Sequence, residues 1–476
     1  MILRKILLAI VFPVIAMGCA TVLDARKTQS ALSPKGEDCG NYSNRARINL
    51  MGEDLPALVA FAQTNRPSIV SYALEVEDAR LALKQINADA PIVSRTPLGA
   101  FDLSLSGAHS ESSAGSKFED LKLDTDGGAS AGLSLDVLVY DFGRNSARAK
   151  AAAENLVSSE LSLLNAGYDV FGEVASAYFT VLEKDALLEV AYTNEYECAL
   201  QLEQAEALFE SGEGQQLDVL RSRLDLAEAK EATVIASNNV ATAGAELVRA
   251  LGLDASFASR EDIVAYSGMN KSVETLFVQT DKGAGELFEF ARTNAPTMKI
   301  ARAKLRAASN EVDYAIAELY PNVNASLSLN WTDPLWYWRW GLSAAQSLFT
   351  GFKKTTAVDR AVLKLESASA NIDAEEQNLS AAISKAVAVR DNAYKSYVTS
   401  RDALERAREN LDMVREQYKI GDASRVDYTT AVSDYTSALA NRVRAVYTSQ
   451  IAEASLFKLL GLKPIYAKGE FLEELK

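Results

Sequence analysis

From residue 353 to residue 420 the chain contains neither glycine nor proline, and apolar residues recur through it at alternating steps of four and three. The series runs Val358, Val362, Leu365, Ile372, Leu379, Ile383, Ala386, Ala393, Tyr397, Leu404, Ala407, Leu411, Val414 and Tyr418, interrupted only by Ser369, Glu376, Arg390 and Ser400. A period of about 3.5 residues held over so many turns specifies a coiled-coil seam rather than one face of a globular-domain helix. A helix of this length would reach roughly 100 Å. Gly421 breaks the run, and Asp422 to Leu460 then continues without Gly or Pro to a second stop at Gly461. The expected unit is a very long helical hairpin bent at Gly421.

The hairpin occurs twice. A shift of 209 residues carries Gly212 onto Gly421, Asp218 onto Asp427 and Gly252 onto Gly461. It also carries Leu247-Val-Arg-Ala-Leu-Gly-Leu253 onto Leu456-Phe-Lys-Leu-Leu-Gly-Leu462, and Val139-Tyr-Asp-Phe-Gly-Arg144 onto Leu348-Phe-Thr-Gly-Phe-Lys353. Upstream, Ala62-Gln-Thr-Asn-Arg-Pro67 matches Ala291-Arg-Thr-Asn-Ala-Pro296 at a shift of 229, so the first copy holds about twenty extra residues between Pro91 and Tyr140. Duplication without insertion along the helices implies lengths fixed by packing against a neighbour. The stretches Leu287 to Tyr320 and Asp422 to Leu460, stacked end to end, match the long helix in length and are expected to run beside it.

Between the helical parts the period changes to two. Phe101, Leu103 and Leu105 alternate with Asp102, Ser104 and Ser106, and Leu133, Leu135, Val137 and Val139 continue the pattern after a polar loop. In the second copy Val323, Ala325, Leu327, Leu329 and Trp331 alternate with Asn and Ser; Asp333-Pro334 turns the chain, and Trp336, Trp338, Trp340, Leu342 and Ala344 return. Strands with one apolar and one polar face have two competing readings, half of a soluble sheet or a barrel wall in lipid. Asn and Ser at nearly every alternate position, and Trp331, Trp336, Trp338 and Trp340 gathered at one turn, favour the wall with membrane-interface aromatics. Four strands cannot close, and an open edge in lipid leaves backbone groups unpaired. The chain is therefore expected to oligomerise.

A net charge of −15 with no basic stripe argues against nucleic acid as partner. The single histidine, His109, lies outside any Cys/His cluster, so neither a metal site nor another cofactor is expected. No nucleophile, base and orienting group recur together, and the chain is not read as an enzyme. Cys198 lies in a helical stretch and reads as a small packed residue before a redox centre. The N-terminus pairs Arg4 and Lys5 with an apolar run, Ile6 to Met17, too short to span a bilayer, as in an export signal. Ile15-Ala-Met-Gly-Cys19-Ala20 resembles a bacterial lipobox, with Ala16 and Met17 departing from its usual residues. Cys19 would then be lipidated; ordinary cleavage is the alternative.

The export signal, the lipobox, the duplicated strand-hairpin and long-helix units, and the words at their junctions together resemble the TolC family of outer-membrane factors, in its lipoprotein form. The resemblance covers residues from about 50 to 462. It implies a membrane α+β fold: a homotrimer with a 12-stranded outer-membrane β-barrel, four strands per chain, above a long periplasmic α-helical barrel. It also implies an exit channel of a tripartite efflux pump, touching outer-membrane lipid and joined by a periplasmic adaptor to a proton-driven inner-membrane pump. The outer channel of a type I protein secretion system, and a non-pore coiled-coil envelope protein, are the competing readings.

The expected organisation is a signal peptide over 1–18, a lipid-anchored tether over 19–54, a first repeat over 55–253 (strand hairpin about 98–140, helical hairpin 144–251) and a connector over 254–286. A second repeat follows over 287–462 (strand hairpin about 322–348, helical hairpin 353–461), then a C-terminal segment over 463–476. The resemblance places adaptor docking at the helix tips, on Ser211, Gly212, Gly214, Gly421, Ala423 and Ser424, and the periplasmic aperture at Tyr418, Asp427 and Asp218. Bare structural roles stand beside these: helix C-caps for the glycines, dipole-favoured acids for the aspartates, a last seam residue for Tyr418. Ala423 and Thr430 occupy places where well-known members carry Arg and a second Asp, with Arg425 or Asp422 as possible substitutes.

Overall fold

The computed structural model describes residues 55–89, 101–110, 128–212, 214–253, 282–332, 335–347, 349–420 and 422–462. All fall within one compact unit, Gly52–Lys476. The signal peptide, Cys19, the tether, Gly421, nearly all of the connector and the C-terminal segment lie outside the described residues. The elements are α1 (Leu55–Asn65), α2 (Pro67–Ala88), β1 (Phe101–Ser110), β2 (Gly128–Tyr140), α3 (Arg144–Glu210), α4 (Gln216–Ala250), α5 (Ala284–Asn294), α6 (Pro296–Ala317), β3 (Asn322–Thr332), β4 (Leu335–Ala345), α7 (Lys353–Lys419) and α8 (Arg425–Leu460).

The long helices α3 and α7 have 67 residues each. Along α7, every seam position is buried or half-buried except Val362 and Ser369. Shorter helices complete the body: α4 packs on α3, α8 on both α7 and α3, and α6 between α3 and α7. Mid-body, Leu287, Met298, Ile383, Val387, Leu456 and Leu460 form one apolar cluster across α5, α6, α7 and α8.

The sequence pattern is mostly helical from Leu55 to Ala90 and helical from Leu287 to Tyr320, and the structure places two helices in each stretch. Arg66 and Ala295 adopt extended ψ values of 129° and 131°, and Pro67 and Pro296 open the next helix. Proline lacks the N–H that would continue the earlier helix and disfavours helical geometry in the residue before it. Each break meets a glycine. Gly252 and Gly461 end the helical hairpins at φ +80° and +65°; a Cβ on Gly252 would come within 2.8 Å of Arg66 Cγ, and one on Gly461 within 2.6 Å of Pro296 Cδ. The repeated Asn-x-Pro and Leu-Gly-Leu words are thus two sides of one contact, made once per repeat. Gly461→Ala combines a left-handed backbone with a clash against a rigid ring, and is expected to cost more than about 1 kcal/mol. A lowered denaturant midpoint is the measurement that checks it.

The four strands form one antiparallel sheet in the order β1-β2-β3-β4. Its register aligns the alternating patterns: Leu103 stands opposite Leu135, Leu135 opposite Leu327, and Leu327 opposite Trp340. The next row on that face runs through Leu105, Leu133, Leu329 and Trp338, and the row between them through Ser104, Ser134, Ser328 and Arg339. A one-residue slip at any junction would mix the two faces. Below the sheet, the buried Asp141 carboxylate starts α3 by accepting from the backbone N–H groups of Gly143 (3.1 Å) and Asn145 (2.6 Å). Asn145 Nδ2 donates to the Ile86 carbonyl, and at the equivalent place in the second repeat Lys354 Nζ donates to the Glu318 carbonyl. Each long helix is thereby tied to the end of the short helix beside it.

Candidate functional site

Two regions carry side chains in arrangements that a folded core does not require. The first is the apolar face of the sheet. Trp338 and Trp340 are 69% and 70% exposed, and Leu342 on the same face is 68% exposed. The rings of Trp331 and Trp336, paired across the turn between β3 and β4, lie 6.1 Å apart. No described element covers this face, and the register makes it four strands wide. No helix among the described residues is long and apolar enough to cross a membrane.

The second region is the far end of the hairpins. Ser211 closes α3, its hydroxyl donating to the Leu208 carbonyl, and Gly212 follows at φ +83° with open space where a Cβ would stand. Gly214 is closely packed: its N–H donates to the Leu208 carbonyl, and a Cβ would meet backbone atoms at 2.8 and 2.9 Å. In the second hairpin the N–H groups of Asp422 and Ala423 both donate to the Gln417 carbonyl. Ile420 is 79% exposed there, and Phe209 and Leu217 of the first hairpin and Val426 of the second are exposed as well.

Asp427 and Asp218, equivalent in the duplication, do different work. Asp427 closes a capping box: the Ser424 hydroxyl and backbone N–H donate to its carboxylate, and the Ser424 oxygen accepts from the Asp427 N–H. The bond from the Ser424 hydroxyl, then that from its backbone N–H, holds this carboxyl below its ordinary value of 3.8. Helix α4 lacks such a cap, since Gln215 stands where Ser424 does. Asp218 instead lies 3.5 Å from Arg425 Nε, while Arg425 Nη1 reaches Asp225 at 3.1 Å and the Ser222 hydroxyl at 3.5 Å. Arg425, the first residue of α8, is thereby clasped by α4 of the other hairpin.

A second tie lies beside it. Glu197 of α3 accepts from Arg415 Nη2 of α7 at 2.8 Å and from the Tyr428 hydroxyl of α8 at 3.3 Å. Tyr418 stacks on Tyr428 with ring centroids 5.2 Å apart and planes within 6°. Both rings belong to an apolar cluster with Leu411, Ala431 and Val432. Tyr418 is thus both the last seam residue and the ring stacked on Tyr428. No spacing in the sequence marks Glu197, Arg415, Tyr428 or Asp225, whose partners stand about 200 residues away. Cys198, one residue from Glu197, is a buried free thiol whose pKa is raised chiefly by desolvation, as a packed residue.

Since Asp427 is engaged with its own helix, Asp427→Ala is expected to fray the start of α8, seen as faster amide exchange over residues 425–430. Its contribution is present above the ordinary carboxyl value and fades as pH falls below 3.8 through the lowered one. Acid titration of the variant should therefore lack that step.

The model of the outer membrane efflux protein family matches residues 63–253 and 287–462, most of the chain. The chain belongs to that family. The outer membrane efflux protein BepC of Brucella suis biovar 1 (strain 1330) is 21% identical to it over 341 residues, spanning 69% of this chain and 71% of BepC. Among solved structures, the outer membrane protein VceC of Vibrio cholerae superposes with a TM-score of 0.71 at 18% identity, covering 86% of this chain and 97% of VceC. The open-state MtrE outer membrane channel of Neisseria gonorrhoeae gives a TM-score of 0.69 at 18% identity, covering 86% of this chain and 89% of MtrE. At such identities the common property is the fold, that of TolC-like outer-membrane channels. The efflux protein is accordingly an outer-membrane efflux channel, and its family is one of channels rather than enzymes.

Proposed function

We propose that three copies of this chain close a 12-stranded barrel in the outer membrane and a helical tunnel beneath it. Small molecules handed over by an inner-membrane pump, proton-driven and coupled through a periplasmic adaptor, leave passively through that duct. The observation that carries this reading is the register of the sheet. An apolar face four strands wide is bounded by β1 and β4, each with one unpaired edge, and in lipid those edges can be satisfied only by sister chains. Three sets of four strands give a wall wide enough for a water-filled lumen.

The tips supply the other contacts. Ser211, Gly212, Gly214, Ala423 and Ser424, with Gly421 between them in sequence, are the adaptor-docking positions, and the exposed Ile420 and Val426 give that surface apolar anchors. The aperture is braced by the Arg425 clasp on Asp218 and Asp225 together with the Tyr418–Tyr428 stack; Asp427 contributes through its cap. Cys19 anchors the mature chain by its lipid. Purified protein in planar bilayers should give discrete single-channel currents and run as a trimer after cross-linking. A monomer in detergent that gives no conductance would defeat the proposal.

A further inference from the structure

Two of the four breaks in the α7 seam are charged, and both lie where the α5 region meets the long helix. Glu376 accepts from Arg292 Nε of α5 at 3.1 Å. Arg390 is only 7% exposed; its Nη2 donates to the Lys282 carbonyl at 3.5 Å and to Asp391 Oδ1 at 2.8 Å. Close enough to Arg390 to feel its charge is Glu453 of α8, 8% exposed, a charged residue type in a helix interface otherwise filled by Ala452, Ala454 and Leu456. Its Oε2 has no hydrogen-bond partner, and neither has the buried Oε1 of Gln450 one turn earlier. Two buried acceptors on one helix face therefore lack a donor. An ionised carboxylate cannot provide one, whereas a carboxylic acid can, through its own O–H.

We propose that Glu453 is a proton-binding site: it holds a proton while α8 is packed on α7 and α3 as seen here, and losing that proton loosens the mid-body junction. Burial is what favours the neutral acid, and it lifts the carboxyl from 4.5 to about 7 even though Arg390 pulls the other way. On α3, Asp169 binds Lys458 of α8 at 2.8 Å, Glu173 is bound to Arg66, and Lys184 is bound to Glu183. Desolvation first, then Asp185, Glu183 and Glu189, raise the hydroxyl of Tyr447 on α8. On α5, Glu289 and Arg292 pair with each other, and Glu286 lies in the first turn. Because the folded value lies above the unfolded one, the packed form keeps an extra proton between 4.5 and about 7. Stability is full below that window, falls about tenfold in the folding equilibrium per unit as pH rises through it, and is level above it.

Infrared difference titration of the full-length protein, between roughly pH 5 and pH 8 where native stability is usually greatest, tests the assignment. A protonated-carboxyl band should disappear with a midpoint of about 7, be absent in Glu453→Gln, and persist to higher pH in Arg390→Gln. Glu453→Gln should fold, since its amide N–H can serve Gln450, and amide exchange over residues 450–457 should lose its pH-dependent step. A wild type without the band, or a Glu453→Gln protein that keeps both band and step, overturns the proposal.

Discussion

Leu327→Arg should abolish assembly of the channel. Leu327 lies midway along β3 on the apolar face, between Leu135 and Trp340 in register. A cation on the lipid side of a barrel at its midplane costs about 2–4 kcal/mol per copy, and a trimer would carry that cost three times. Heat-modifiable oligomer on gels and single-channel current should both vanish. The informative control is one residue away. Ser326 stands on the opposite face, beside Asp136 and Gly341, so Ser326→Arg gains a carboxylate neighbour and faces water. It should assemble normally and alter ion selectivity. If both variants assembled equally well, the assignment of faces to lipid and lumen would be wrong.

Arg425→Ala is the second large effect. The Arg425 side chain is 16% exposed and the carboxylates of Asp218 and Asp225 are 37% and 30% exposed, so the clasp is sheltered without being dry. Its removal leaves the carboxylates of Asp218 and Asp225, two turns apart on α4, without their shared cation. A fully buried pair broken on one side loses about 3–5 kcal/mol, and solvent screening brings the expectation here to about 1–3 kcal/mol. The start of α8 should separate from α4, with faster exchange at the tip and a several-fold rise in open-channel conductance. Arg425→Lys should recover only part, because an ammonium cannot reach both carboxylates as the planar guanidinium does. Faster exchange with unchanged conductance would keep the clasp as a structural tie and remove it from the aperture.

Much of the architecture is legible from periodicity. The seam of α7, the duplication and the alternation in all four strands are local patterns, and they survive because packing against fixed neighbours forbids drift. The prolines were legible as well, but their consequence was not. Pro67 and Pro296 sit inside patterns that read as helical, and only the glycine sockets at Gly252 and Gly461 show that each break has a place to go. The tips divide in the same way. Sequence equivalence pairs Asp218 with Asp427; the Ser424-x-x-Asp427 cap is a local pattern, whereas the tie of Arg425 to α4, about 200 positions away, is not. Replacement of the N-cap serine by Gln215 in the first repeat is the difference that frees Asp218 for a long-range partner. Arg390 was visible as an interruption; its link to Glu453, 63 positions away on another helix, was not.

Consider finally the two raw margins of the sheet. A wall that ends in unpaired backbone on both sides has no finished form as a lone chain, so finding companions is expected to come no later than entering the bilayer. Partial assemblies would expose the same hunger for hydrogen bonds that drives completion, and a protein built this way has reason to meet its sisters before it meets lipid.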